Sequence, residues 1–201
     1  MSDRSNGWEA VAHRFMAARS QVVGVSAVRT WAQSLPNGSS ILDVGCGSGV
    51  PVSQALMDEG CVVSGVDASP TLVAAFRARF PNAAVACEPA EESSLFNATF
   101  DGVVSIGLVF LLSTTTQRKL LRRLSRVVKP GGRLLFTAPR DACSWTDILT
   151  GRVLMSLGSE EYEAILCREG MSLAEGFRDE GGNYYHDVVR RRSDSGSPAS
   201  S

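Results

Sequence analysis

Residues 41–51, ILDVGCGSGVP, set one acid and three alternating glycines into an apolar run. Ile41, Leu42 and Val44 have the character of a buried strand around Asp43, and Gly45, Gly47 and Gly49 follow before Pro51. Glycine has no Cβ and accepts positive φ, so a loop of this kind lets a ligand approach bare backbone. The segment reads as a strand, a tight turn and a helix opening at its proline. A dinucleotide fingerprint, G-x-G-x-x-G, needs glycine at position 50, where Val50 stands. A second acid, Asp67, ends the apolar run CVVSGV eighteen residues after Gly49. That is close to the roughly 20 residues expected before a ribose-binding carboxylate. Such a group can accept both ribose hydroxyls; the simpler alternative is an acid at the start of the helix that Ser69-Pro70 open. For proton transfer the candidates are His13, Asp141, Asp147 and His186, the last beside Tyr184 and Tyr185, each with a structural or surface role as the alternative.

The elements that must position these groups alternate along the chain. Helical spacing runs through Trp8, Val11, Phe15 and Met16 and again through Val25, Val28, Trp31 and Leu35. Strands are expected at about 40–44, 61–66, 83–87, 100–106 and 133–138, with helices at about 50–59, after Ser69-Pro70 and at 116–128. Lys129–Gly132 reads as a turn, 139–158 as a looser segment with the apolar residues of a small cap, and 172–179 with 184–189 as a hairpin about Gly181-Gly182. The pattern predicts an α/β, doubly wound, Rossmann-like sheet of seven strands, mostly parallel, with an antiparallel strand from the C-terminal hairpin. The expected organisation is a helical lid over 1–35, a core domain over 36–192 and a disordered tail over 193–201.

Composition narrows the function. With 20 Lys+Arg against 21 Asp+Glu, the chain has a formal charge of −1, so no global basic footprint for nucleic acid is present. No apolar run is long enough for a spanning helix, and the start MSDRSNGWEA lacks signal-peptide character. Five cysteines form no C-x-x-C pair and there are two distant histidines. Reduced thiols, a cytoplasmic setting and no metal site are the expectation.

With the acid at Asp43 and the G-x-G-x-G register, the loop resembles motif I of the class I S-adenosylmethionine-dependent methyltransferases, and the resemblance extends over about residues 36–190. It implies methyl transfer from S-adenosylmethionine to an acceptor; the compact cap and near-neutral charge favour a small molecule over nucleic acid, and no membrane is expected. The cofactor would be held by Asp43, Gly45, Cys46, Gly47 and Gly49, by Asp67 and Ala68, by Ala90 and Glu91 at the adenine, by Ile106 at the methionine part, and by Arg19 from the lid. Pro89 occupies the position where many relatives place an adenine-binding acid. Trp8, Phe15 and Met16 with Trp145 and Ile148 would close an apolar pocket over the methyl group, with His13 or His186 nearest the acceptor and Asp141 a further catalytic candidate. A non-catalytic cofactor-binding module is the alternative; a nicotinamide-dependent oxidoreductase is disfavoured by Val50 and the hairpin.

Overall fold

The computed structural model describes residues 4–192; the expected disordered tail at 193–201 and the first three residues of the expected lid lie outside the described residues. The chain runs through α1 (Trp8–Ala18), α2 (Val25–Gln33), β1 (Ser40–Val44), α3 (Val52–Asp58), β2 (Val62–Asp67), α4 (Pro70–Arg79) and β3 (Ala84–Cys87). It continues through β4 (Phe100–Ser105), α5 (Thr114–Val127), β5 (Val128–Thr137), β6 (Cys143–Thr146), β7 (Val153–Ser156), α6 (Ser159–Arg168), β8 (Met171–Arg178) and β9 (Tyr184–Arg190). Seven strands form one sheet in the order β3-β2-β1-β4-β5-β9-β8. The first five pair in parallel, and β9 is antiparallel to both β5 and β8. The chain therefore moves outward one way from β1 and the other way from β4. Beyond the carboxyl ends of that pair lies the crevice where open α/β sheets bind ligands.

Successive side chains in a strand point to opposite faces, and this divides the core. Leu42, Val103 and Leu134 pack with Leu120, Leu121 and Leu124 of α5, while Ile41, Val104 and Leu135 pack with Val28, Trp31 and Leu56 from α2 and α3. Both faces are covered, which is why these strands read as near-continuous apolar runs rather than alternating ones. Helix α2 is thus a core layer: the Trp31 indole Nε1 donates to Asp187 Oδ1 on β9 at 3.2 Å. Of the two N-terminal helices, α1 is the one that faces the cavity described below.

Two segments differ from expectation. The Lys129–Gly132 turn is instead the start of a ten-residue strand, with a register shift opposite Phe100 and Gly102. Gly132 is needed there because a Cβ would lie 2.5 Å from the Asp101 carbonyl oxygen. The looser segment holds a hairpin of β6 and β7, paired from Cys143↔Ser156 to Thr146↔Val153. Its connection is fixed by Asp147, whose Oδ2 accepts from the Thr150 N–H at 2.7 Å and hydroxyl at 2.6 Å. No described helix is long and apolar enough to cross a membrane.

Candidate functional site

A cavity of about 280 Å³ opens at the carboxyl ends of β1, β2 and β4. The loop after β1 forms its floor. Gly45 and Cys46 donate their N–H groups to the Val66 carbonyl at 2.8 and 3.1 Å, holding the loop to β2. The Gly47 N–H donates to Asp67 Oδ2 at 2.9 Å, and the Ser69 N–H donates to Asp67 Oδ1 at 2.8 Å. The Asp67 carboxylate is therefore aimed by two backbone donors that leave further acceptor capacity toward the cavity. Gly47 sits at φ +55°, and a Cβ there would meet only Phe15 at 3.7 Å and Leu72 at 4.0 Å. Gly49 serves another purpose: a Cβ would fall 2.4 Å from Phe80 on the far side of the loop, and the residue does not line the cavity. Its place in the loop comes from packing against α4.

Two buried carboxyl groups face this floor. Asp43 accepts from the Ser53 hydroxyl at 2.5 Å. Burial pushes its pKa up to about 7; the Ser53 bond and the Arg19 charge oppose that rise, and the charge of Asp67 adds to it. Asp67 is also raised, chiefly by burial and further by Glu9, against backbone hydrogen bonds from Ser69, Gly47 and Ala68. Burial raises the Cys46 thiol well above its ordinary value, so the thiol remains protonated and inert at neutral pH.

Across the cavity lies α1. Glu9 accepts from the Thr71 hydroxyl at 2.6 Å and the Thr71 N–H at 3.2 Å, and from the Ser69 hydroxyl, tying α1 to the start of α4. Trp8 and Phe15 meet edge to face at 5.2 Å, and the Arg19 guanidinium lies 5.7 Å from the Phe15 ring centre. All three line the cavity, as do Ala68, Ala90, Glu91 and Ile106. At the other end the lining is Phe110, Leu111, Leu112 and Leu154 with Asp147. Trp145 supports Phe110 at 5.5 Å between ring centres, whereas Ile148 is 96 % exposed and contributes nothing to the wall.

Of the four expected proton-transfer residues, the structure brings Asp147 to this cavity and leaves His13, Asp141 and His186 outside its lining. His13 is exposed on the outer face of α1, and Asp141 is exposed after β5. His186 is only 2 % exposed and stacks on Phe136 at 4.6 Å. Burial pushes it down to about 4 despite a hydrogen bond with the Ala138 backbone, so it is a neutral core imidazole. Arg4, Ser5, Asn6 and Leu154 also line the cavity. No sequence periodicity pointed to them: the first three precede α1 and the last depends on a hairpin with no turn dipeptide to mark it.

Residues 41–132 match the profile of a family described as a methyltransferase domain. Over 94% of the chain the fold superposes, with a TM-score of 0.72 and 17% identity, on 98% of a magnesium protoporphyrin IX methyltransferase from Synechocystis PCC 6803 crystallised with S-adenosylmethionine. Residues 41–132 thus match a methyltransferase domain, and the chain as a whole shares the fold of known methyltransferases. A similar fold occurs in a 1,6-didemethyltoxoflavin-N1-methyltransferase from Burkholderia thailandensis: TM-score 0.73, 18% identity, covering 94% of this chain and 87% of the other. Among curated proteins, a tRNA (carboxymethyluridine(34)-5-O)-methyltransferase from Arabidopsis thaliana is 34% identical over 124 residues, which is 61% of this chain but only 30% of that relative.

Proposed function

We propose that this protein is a methyltransferase that moves a methyl group from S-adenosylmethionine to a small, partly apolar acceptor. The observation that carries the reading is the Asp67 carboxylate, fixed by the Gly47 and Ser69 N–H groups at the edge of a cavity floored by bare glycine backbone. Asp67 accepts the two ribose hydroxyls, the Gly45–Gly47 segment packs against the methionine part, and Arg19 and Asp43 meet its charged end. Ala90 and Glu91 face the adenine. When bound, S-adenosylmethionine supplies a methyl group already activated by the positive sulfonium. The protein's task is then to align and to exclude water. Trp8 and Phe15 on α1 cover the site, with Glu9 holding that lid to α4.

Phe110, Leu111 and Leu154 offer the acceptor an apolar wall, and Asp147, of the four expected bases, is the one that lines the cavity and offers it a hydrogen-bond acceptor. Of the two arginines that line the cavity, Arg4 pairs with Glu92 and Arg19 lies near Asp43. This balance supports a small neutral or cationic acceptor over one bearing phosphates, although the Arabidopsis relative is named for action on tRNA. Titration calorimetry should show S-adenosylhomocysteine binding and no binding of NADH. A screen for S-adenosylhomocysteine release should respond to pools of small amines and phenols and not to tRNA. Release with tRNA alone would overturn the acceptor class, and absence of cofactor binding would overturn the whole reading.

Gly47→Val tests the floor. The branched side chain would stand in the cavity, at a φ that L residues rarely adopt. Affinity for S-adenosylhomocysteine should drop at least about tenfold, about 1.4 kcal/mol, with the far-ultraviolet circular dichroism retained. A folded variant of unchanged affinity would remove this loop from the site.

A further inference from the structure

The turn at the adenine end of the cavity is held from outside by one side chain. Residues 88–94 follow β3, and Pro89 accepts at its carbonyl from the Glu92 and Ser93 N–H groups at 3.0 and 2.9 Å. The tightness of this turn leaves the N–H groups of Ala90 and Glu91, its central residues, with no partner among the described residues, and both residues line the cavity. Behind the turn, Arg123 of α5 donates from Nη1 to the Ala90 carbonyl at 3.0 Å and from Nη2 to the Ser93 carbonyl. A planar guanidinium bonded to these two carbonyls fixes the peptide planes that carry them, 90–91 and 93–94, and through them the placement of the turn that the Pro89 carbonyl closes. Arg123 does not line the cavity. The side chain of Pro89 has no hydrogen-bonding group to offer a base.

We infer that Arg123 is a positioning residue for purine recognition: it sets the turn so that the free backbone N–H of Ala90 meets a ring-nitrogen acceptor of the adenine. The inference rests on the proposed use of S-adenosylmethionine. Because the donor is a backbone group, its share of the discrimination depends on where the turn is held. Adenine carries an acceptor at N1, whereas hypoxanthine carries an N–H there and would oppose one donor with another. A correctly held turn therefore selects adenine over hypoxanthine, and a relaxed turn selects less.

The test compares S-adenosylhomocysteine with its 6-oxo, hypoxanthine analogue by titration calorimetry on the full chain. The wild-type protein should favour the adenine ligand by about tenfold or more. Arg123→Met, which frees both carbonyls, should lose most of that ratio through weaker binding of the adenine ligand. Arg123→Lys keeps a single-point donor, should fall between the two, and supplies the measurement if the methionine variant does not fold. An equal weakening of both ligands would make Arg123 a mere brace and overturn the inference, as would a ratio unchanged in either folded variant. Binding of neither ligand by the wild-type protein would instead overturn the methyl-donor reading on which it rests.

Discussion

Asp67→Ala is expected to weaken S-adenosylmethionine and S-adenosylhomocysteine together, on the order of a hundredfold or about 3 kcal/mol, since hydrogen bonds to a charged acceptor are worth about 1.5–3 kcal/mol each. Both ligands carry the same ribose, so the ratio of their affinities should stay constant. The substitution also releases the Gly47 and Ser69 N–H groups, which Asp67 now satisfies. Asp67→Asn separates the two effects: its amide retains one acceptor oxygen for the backbone but carries no charge, and it should recover part of the loss. Calorimetry with both ligands measures this directly. Selective loss of the methylated ligand alone would place Asp67 at the methyl rather than at the ribose.

The second large effect concerns pH. Asp43 is raised from 3.8 to about 7 in the folded protein, first by burial, so the folded state binds its proton more tightly than the unfolded chain does. The stability this confers is complete below about pH 4, declines as pH rises toward 7 and is absent above it. The three-unit shift corresponds to a span of about 4 kcal/mol at most, at 1.36 kcal/mol per unit. Asp43→Asn should abolish that decline, seen as urea midpoints that no longer fall between pH 5 and pH 8. Ligand binding should run the other way in the wild-type protein: the cationic end of S-adenosylmethionine favours the ionised carboxylate, so affinity should rise through pH 7 with release of a proton. In the asparagine variant that rise should vanish. Identical pH slopes in the two proteins, for both stability and affinity, would show that Asp43 does not titrate in this range.

The parallel half of the sheet was legible because burial on both faces leaves an uninterrupted apolar run and because proline, serine and glycine mark the helix ends. Ser69, for example, caps α4 through the Leu72 N–H at 3.2 Å with Pro70 behind it. The cavity floor was legible because a glycine at positive φ has no substitute. What stayed hidden depends on tertiary context. The four-residue strands β6 and β7 are too short to carry a period. Gly49 has the spacing of a ligand-binding residue, yet it is set by the rings of Phe76 and Phe80. His186 lies on the strand expected for it, but the period-2 alternation that places it there turns its ring into the aromatic core with Phe136 and Tyr162. Arg123 has the sequence context of a solvated helix face, and only the fold shows it reaching the turn after β3.

The bond between Trp31 and Asp187 carries a consequence for the order in which the molecule can be completed. It joins residues 156 apart, and the strand that supplies Asp187 is inserted between β5 and β8. During synthesis β1 to β5 emerge first, leaving Leu134, Leu135 and Phe136 on a strand whose outer edge has no neighbour. Until β9 arrives, the Trp31 indole lacks its acceptor, Arg133 lacks its carboxylate and an apolar edge is open to other chains. The Arg133–Asp187 pair lies on that seam and matches charge across it. The segment that closes the sheet is thus the one that covers this edge, and a chain stopped short of Tyr184 would leave the edge of β5 open.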